Sequence, residues 1–338
     1  MALYRIKPWY KKSGGGGSTL SYYGTITALS AARYNLAATS VGNYALFGGG
    51  PSSNVVDAYN SSLVQTQPTV LSVARANLAA TTVGSYALFG GGSGYSNVVD
   101  AYDTSLTRTA PTVLSVGRAS IAATTVGSYA LFGGGNTATT TYSDVVDAYD
   151  TSLTRTTPTA LSTKRRAISA TTVGSYALFG GGITSSYFSN VDAYDTSLTR
   201  TAPTVLSVGR ANLGANTVGN FALFAGGQIN TSKFSNVVDA YNASLTQTQP
   251  TTLSVARGFI GATTISSFAL FGGGQTGSSA YSDIVDAYDE SLTRTIPTGL
   301  NAAKYQTSAT TVGDYALIGG GRTSTSNVYD TVEAYTVA

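Results

Sequence analysis

Small and apolar residues recur along this chain in a fixed order of short blocks. Asn77 to Val83 is a run of small and β-branched residues, Gly84-Ser85 follows, and Tyr86 to Phe89 is apolar and leads into the triplet Gly90 to Gly92. After a polar gap, Asn97 to Tyr102 is again apolar around a single Asp, Asp103 to Thr107 is turn-like, and Arg108 to Val116 mixes Thr, Val and Pro111. Short runs of this kind bounded by Gly, Asp and Ser predict four antiparallel strands over 77–83, 86–89, 97–102 and 108–116. Gly84-Ser85 predicts a two-residue hairpin with glycine first, and Pro111 restricts the fourth strand to an edge.

The pattern returns seven times. Its triplets begin at Gly48, Gly90, Gly133, Gly180, Ala225, Gly272 and Gly319, with spacings of 42, 43, 47, 45, 47 and 47 residues. Four short antiparallel strands in a unit of this length predict a propeller blade, and seven units predict an all-β fold, a seven-bladed β-propeller of four-stranded antiparallel blades. Ala79, Ala80 and Thr81 are small enough for the crowded innermost strand, while Tyr86, Phe89 and Tyr102 suit the wider space outside it. Because both faces of a blade pack against neighbours, polar and apolar alternation is expected to be weak. The last unit stops after Val332 to Tyr335, whereas Thr25 to Arg33 matches the fourth-strand segment Ala110 to Arg118. The N-terminal segment is therefore expected to complete the last blade, closing the ring and removing its free edges. Three regions follow: a basic, aromatic segment over 1–12, a Gly/Ser-rich tether over 13–23, and the propeller over 24–338.

The blocks Leu88-Phe-Gly-Gly91, Asp100-Ala-Tyr102 and the preceding Arg75 resemble the kelch repeat over roughly residues 24–338. The Trp that follows the third strand in that repeat is missing, and Leu63, Leu106, Leu153, Leu198, Leu245 and Leu292 stand in its place. The resemblance implies a propeller and leaves function open, since kelch-like propellers include enzymes and adaptors.

All variation in length falls in one connection. Between each triplet and the acid of Asp/Glu-Ala-Tyr lie 6, 7, 11, 9, 11, 11 and 11 residues, and the rest of the unit is a constant 36 residues. These loops join strands two and three, so they emerge on the same face as the connections between blades. Each interblade connection carries the repeated cation: Arg33, Arg75, Arg118, Arg165, Arg210, Arg257 or Lys304. Aromatic residues gather near the start of strand three at Tyr95, Tyr142, Tyr187, Phe188, Phe234, Tyr281 and Tyr329, and Arg322 opens the last variable loop. Loops on a rigid scaffold commonly carry binding function, so this face is the candidate site. Two readings of the repeated cation stand side by side: a ring near the central channel that meets ligand, or framework that bonds carbonyls or the repeated acids Asp57, Asp100, Asp147, Asp192, Asp239, Asp286 and Glu333. Since no repeat is singled out by its acid, none of these is expected to be catalytic.

Composition narrows the chemistry. The chain has no His and no Cys, which removes the usual copper, zinc and thiol sites, and neither a phosphate loop nor an acidic calcium loop occurs, so no metal or cofactor is expected. The net charge of +3 comes from the N-terminus: Arg5, Lys7, Lys11 and Lys12 precede the repeats, leaving fifteen basic residues against sixteen acidic ones. No nucleic-acid partner is expected of so weakly charged a surface. No apolar run predicts membrane insertion, and the first residues lack the apolar core of a secretory signal, so conventional secretion is not expected.

The expected function is non-enzymatic recognition of a protein surface or a cell-surface glycan through the variable-loop face. Tyr4, Ile6, Trp9 and Tyr10 would anchor residues 1–12 to a larger assembly, with the tether leaving the propeller mobile. Signal-free, Ser/Thr/Gly/Tyr-rich repeat chains of this organisation resemble accessory or receptor-binding proteins of phage particles, which implies a virion surface; a cytoplasmic protein is the other placement. An intracellular adaptor gripping an acidic peptide through the Arg ring, and a purely structural decoration protein, are the alternatives.

Overall fold

The computed structural model describes residues 18–338. The expected anchor residues Tyr4, Ile6, Trp9 and Tyr10, and most of the tether, lie outside them. The fold is a seven-bladed β-propeller: seven four-stranded antiparallel sheets around a central channel, six in sequential strand order and the seventh completed by the N-terminal strand.

Blade 2 shows the plan. Its strands are Ala79–Val83, Tyr86–Gly90, Val99–Tyr102 and Arg108–Thr109. The 84–85 hairpin has Gly84 at φ 54 with Ser85 outside the positive region, as a glycine-first turn requires. The innermost strand does alternate, buried at Ala79, Thr81 and Val83 and half-buried between, because its other side faces the channel. Strands two and three are buried almost throughout, since neighbouring blades cover both of their faces.

The fourth strand is shorter than the sequence predicts. It pairs only through Arg108 and Thr109; beyond Pro111 the chain runs as an irregular connection whose Leu114 and Arg118 amides donate to the carbonyls of Asn97 and Ser96. The closing strand shifts for the same reason. The segment matching Ala110 to Arg118 is connection, so the N-terminal strand precedes it, as Leu20–Ile26 rather than 25–33. It pairs antiparallel with Val332–Val337 and becomes the outer strand of blade 7. Leu20 to Tyr23, expected in the tether, therefore belong to the ring.

Packing between blades follows from the Asp-Ala-Tyr element. Asp and Tyr two apart on a strand share a face. Each Tyr ring is fully buried and its hydroxyl donates to a Thr carbonyl of the incoming connection, as Tyr102 does to Thr69 at 2.7 Å. In blades 1 to 6 the ring meets a strand-two Phe edge-on, the centroids of Phe89 and Tyr102 lying 5.9 Å apart. Blade 7 has Ile318 instead, and Tyr22 of the closing strand supplies the ring contact to Tyr335 at 5.3 Å. The six leucines after strand three sit at φ 60 to 63. Burial of the side chain against the interblade core, as Leu106 packs, compensates the backbone strain of that left-handed turn.

Candidate functional site

The seven repeated cations are not on the surface. Arg33 is 2% exposed and the other six are fully buried, and each forms an ion pair with the acid of its own blade: Arg33 with Asp57, Arg75 with Asp100, Arg118 with Asp147, Arg165 with Asp192, Arg210 with Asp239, Arg257 with Asp286 and Lys304 with Glu333. Backbone carbonyls take further donors, as Phe89 does from Arg75 at 3.0 Å. In blades 1 to 6 the second carboxylate oxygen accepts the amide of a connection residue, as Asp100 does from Ser72 at 3.1 Å. Burial lowers the pKa of Arg33, Arg118, Arg210, Arg257 and Lys304, with the paired acid opposing the shift. The expectation of a ligand-facing cation ring is thus corrected. A guanidinium enclosed between two blades staples the incoming connection to strand three, and no ligand reaches it.

What does surround the channel mouth is a ring of backbone. The residue two beyond each cation, Asn35, Asn77, Ser120, Ala167, Asn212, Phe259 or Gln306, has φ between 50 and 57. Each donates its N–H to the carbonyl of its counterpart in the preceding blade at 2.9 to 3.3 Å, and the circuit closes from Asn35 to Gln306. Asn tolerates this conformation locally, whereas Ala167 and Phe259 hold it because the circuit demands it. One residue deeper stands an apolar collar, Leu36, Leu78, Ile121, Ile168, Leu213 and Ile260, with Thr307 seventh. Together they line a cavity of about 640 Å³ with a polar lip and an apolar throat.

The variable loops lean onto this lip. In blades 3 to 7 a loop residue bridges to the residue just after the buried cation: Asn136 to Ala119, Ile183 to Arg166, Gln228 to Ala211, Gln275 to Gly258, and Arg322 to Tyr305. Tyr142, Tyr187 and Phe234 lie on the returning arms of their loops, and Tyr281 occupies the same place in the short hairpin Gln275–Gly277 with Ala280–Tyr281. Burial raises the pKa of the Tyr187 phenol, with Arg166 pulling it the other way. Tyr95 is 37% exposed and its hydroxyl lies 3.4 Å from that of Thr139 in the next blade. Phe188 holds its loop through its backbone, donating to Gly182 and accepting from Arg210. Tyr329 accepts from Asn327 at 3.3 Å.

Sevenfold regularity breaks at blades 6, 7 and 1. There Tyr281 stacks on Tyr305, with centroids 5.0 Å apart and planes 11° apart. The Arg322 guanidinium lies 5.3 Å from Tyr305 and 3.9 Å over Tyr34, and its Nε donates to Gln306 Oε1 at 2.8 Å. Phe259 meets Tyr305 edge-on at 5.9 Å. Two predicted residues, Tyr281 and Arg322, are brought together; the partners that join them, Tyr305, Tyr34 and Gln306, went unpredicted. A signal for them exists in the repeat register: the two positions after the cation, Tyr34, Ala76, Ala119, Arg166, Ala211, Gly258 and Tyr305 and then Asn35, Asn77, Ser120, Ala167, Asn212, Phe259 and Gln306, vary although they lie in the constant-length part of the unit. Among the described residues no group of three or more His, Cys, Asp or Glu is placed to hold a metal ion, and no helix is long and apolar enough to cross a membrane.

Fold and rim together define a closed seven-bladed β-propeller with an irregular polar mouth. The chain is similar to the solved structure titled "Structure of YjhT", with a TM-score of 0.63 and 9% identity, covering 93% of this chain and 99% of that one; at that identity the likeness is one of fold. No family profile matches the chain. No curated protein matches it.

Proposed function

We propose that this chain is a non-enzymatic recognition module that binds a glycan or protein surface through the face carrying its variable loops. The observation that carries the reading is the Tyr281, Tyr305, Arg322 and Tyr34 stack, because it departs from sevenfold repetition on the face where loop length and sequence also vary. Aromatic edges, amides and hydroxyls around a preformed cavity suit a hydroxyl-rich ligand. A glycan is therefore favoured over a flat protein surface. Burial of the seven repeated cations gives no support to capture of an acidic peptide by them.

In this reading the chain is a divergent kelch-like propeller attached to a larger assembly through residues 1–12, and a phage-particle surface is the placement that fits the whole organisation. The test is binding of the full chain to bacterial cells and to a glycan array, beside a Tyr305→Ala variant with unchanged melting. Specific binding that drops at least about tenfold in the variant supports the reading. Binding that the variant retains in full would move the site elsewhere, and absence of binding to cells and glycans would favour a structural decoration protein.

A further inference from the structure

Eleven of the fifteen basic residues from 18 onward are ion-paired, the seven framework cations and Arg108, Arg155, Arg200 and Arg294 of the fourth strands. The four without an acidic partner are Lys164, Arg166, Lys233 and Arg322. All four lie on the loop face. Lys164 and Arg166 flank a framework cation in one interblade connection, and Lys233 and Arg322 belong to variable loops. The opposite face carries Asp103, Asp150, Asp195, Asp289, Glu290 and Asp314 in its turns, with no unpaired cation among the described residues. The loop face also carries Asp144, Asp283 and Asp330 just before third strands, none paired with a cation among the described residues, so its free charge is four positive against three negative, whereas the free charges of the opposite face are all acidic.

Two of the four stand at the mouth. Arg166 lines the cavity at blade 4, and Arg322 stands between blades 7 and 1, half a turn of the ring away. Arg322 is held flat by Tyr34, and Gln306 takes its Nε, which leaves both Nη groups without a protein acceptor. A guanidinium fixed in its plane with its fork open suits a two-oxygen acceptor. Between the two arginines the lip offers the side chains of Asn35, Asn77, Ser120, Asn212 and Gln228. Its backbone amides and carbonyls are spent on the closed circuit, so a peptide laid here would lack the main-chain hydrogen bonds that strand addition relies on.

We infer that the channel mouth binds an acidic saccharide, its carboxylate or sulfate groups held by Arg322 and Arg166 and its hydroxyls by the amide lip. This rests on the recognition reading above and narrows it to a ligand class.

The full chain is titrated with carboxylated oligogalacturonides, sulfated heparin oligosaccharides, neutral dextran oligosaccharides and poly-glutamate, at about 0.05 and about 0.5 M salt. Arg166→Gln and Arg322→Gln are compared with Arg108→Gln, a control of equal charge at a position where Gln65 and Gln247 already serve in other blades. Expected is salt-sensitive binding of a carboxylated or a sulfated saccharide, with the better probe identifying the acid group. Each mouth variant should lose about tenfold or more with unchanged melting, and the control less than about twofold. Binding of the neutral saccharide alone, equal binding of poly-glutamate, or equal loss in the control overturns the acidic-saccharide inference while leaving recognition intact. No binding of any saccharide overturns the acidic-saccharide inference, and overturns the recognition reading too only when cells are not bound either.

Discussion

Lys304 donates from Nζ to Glu333 Oε2 at 2.9 Å, and this pair stands where the other six blades place Arg against Asp. Lys lacks the second donor arm of a guanidinium, and Glu is one methylene longer than Asp, so the exchange keeps a buried contact on a changed pair of side chains. Thr331 Oγ1 takes a further bond from Nζ at 2.7 Å.

Shortening Glu333 to Asp withdraws the carboxylate by about 1.5 Å and strands a buried ammonium. The single substitution is expected to cost about 3 kcal/mol, as breaking one side of a buried pair does. Lys304→Arg with Glu333→Asp, which recreates the pair of the other blades, should recover most of it. Urea unfolding of the two single variants and the double one measures the coupling; an additive result would mean that the pair is not the unit.

Alkaline pH should unfold the ring. Tyr59, Tyr102, Tyr149, Tyr194, Tyr241, Tyr288 and Tyr335 are held far above the usual tyrosine range of 10.0 by burial, with the nearby Asp or Glu adding to the shift. A raised pKa means that the unfolded chain releases protons first. The stabilisation is complete below pH 10 and lost as pH climbs beyond it, at about 1.4 kcal/mol per pH unit for each tyrosine. Lys304 works in the opposite sense, as do Arg33, Arg118, Arg210 and Arg257 at higher pH, five groups against seven. Tyrosinate absorbance and circular dichroism followed together should show these seven ionising only as the sheet signal collapses; early ionisation with sheets intact would contradict the burial argument.

Deleting residues 18–26 removes the outer strand of blade 7, its pairing with Val332–Val337, and the Tyr22 to Tyr335 contact. At roughly 1 kcal/mol for each lost ladder hydrogen bond, the cost is on the order of 5 kcal/mol. The exposed edge should also promote association. Melting temperature and light scattering against the full chain test both consequences, and an unchanged melt would show that the ring closes without this strand.

Gly181 and Gly94 separate crowding from backbone strain. Both have positive φ, +70 and +77, but a Cβ on Gly181 would lie 2.4 Å from the Arg210 carbonyl oxygen, while one on Gly94 would meet nothing within 4 Å. Gly94→Ala should cost about 1 kcal/mol from conformation alone. Gly181→Ala should cost at least about twice that, because the carbonyl it strikes belongs to the backbone of the next blade. Equal losses would mean that the blades separate readily enough to admit a methyl group.

The sequence by itself determined the seven units, the strand order within a blade, the closure by an N-terminal strand and the confinement of variation to one loop, because these depend on local periodicity and a constant register. It also marked one cation and one acid as repeating in every unit, with their pairing one of two readings. Only the tertiary structure decided that those cations are enclosed: Arg75 and Asp100 are far apart in sequence, and burial depends on how the next blade covers them. Pairing distances also decided the strand limits, since Thr109 pairs and the Thr and Val residues beyond Pro111 do not, although their β propensity is similar. The irregular mouth was out of reach for the same reason. Tyr34 and Arg322 stand near opposite ends of the chain, and ring closure alone places a guanidinium 3.9 Å over that ring, on the rim of a cavity made by seven separate connections.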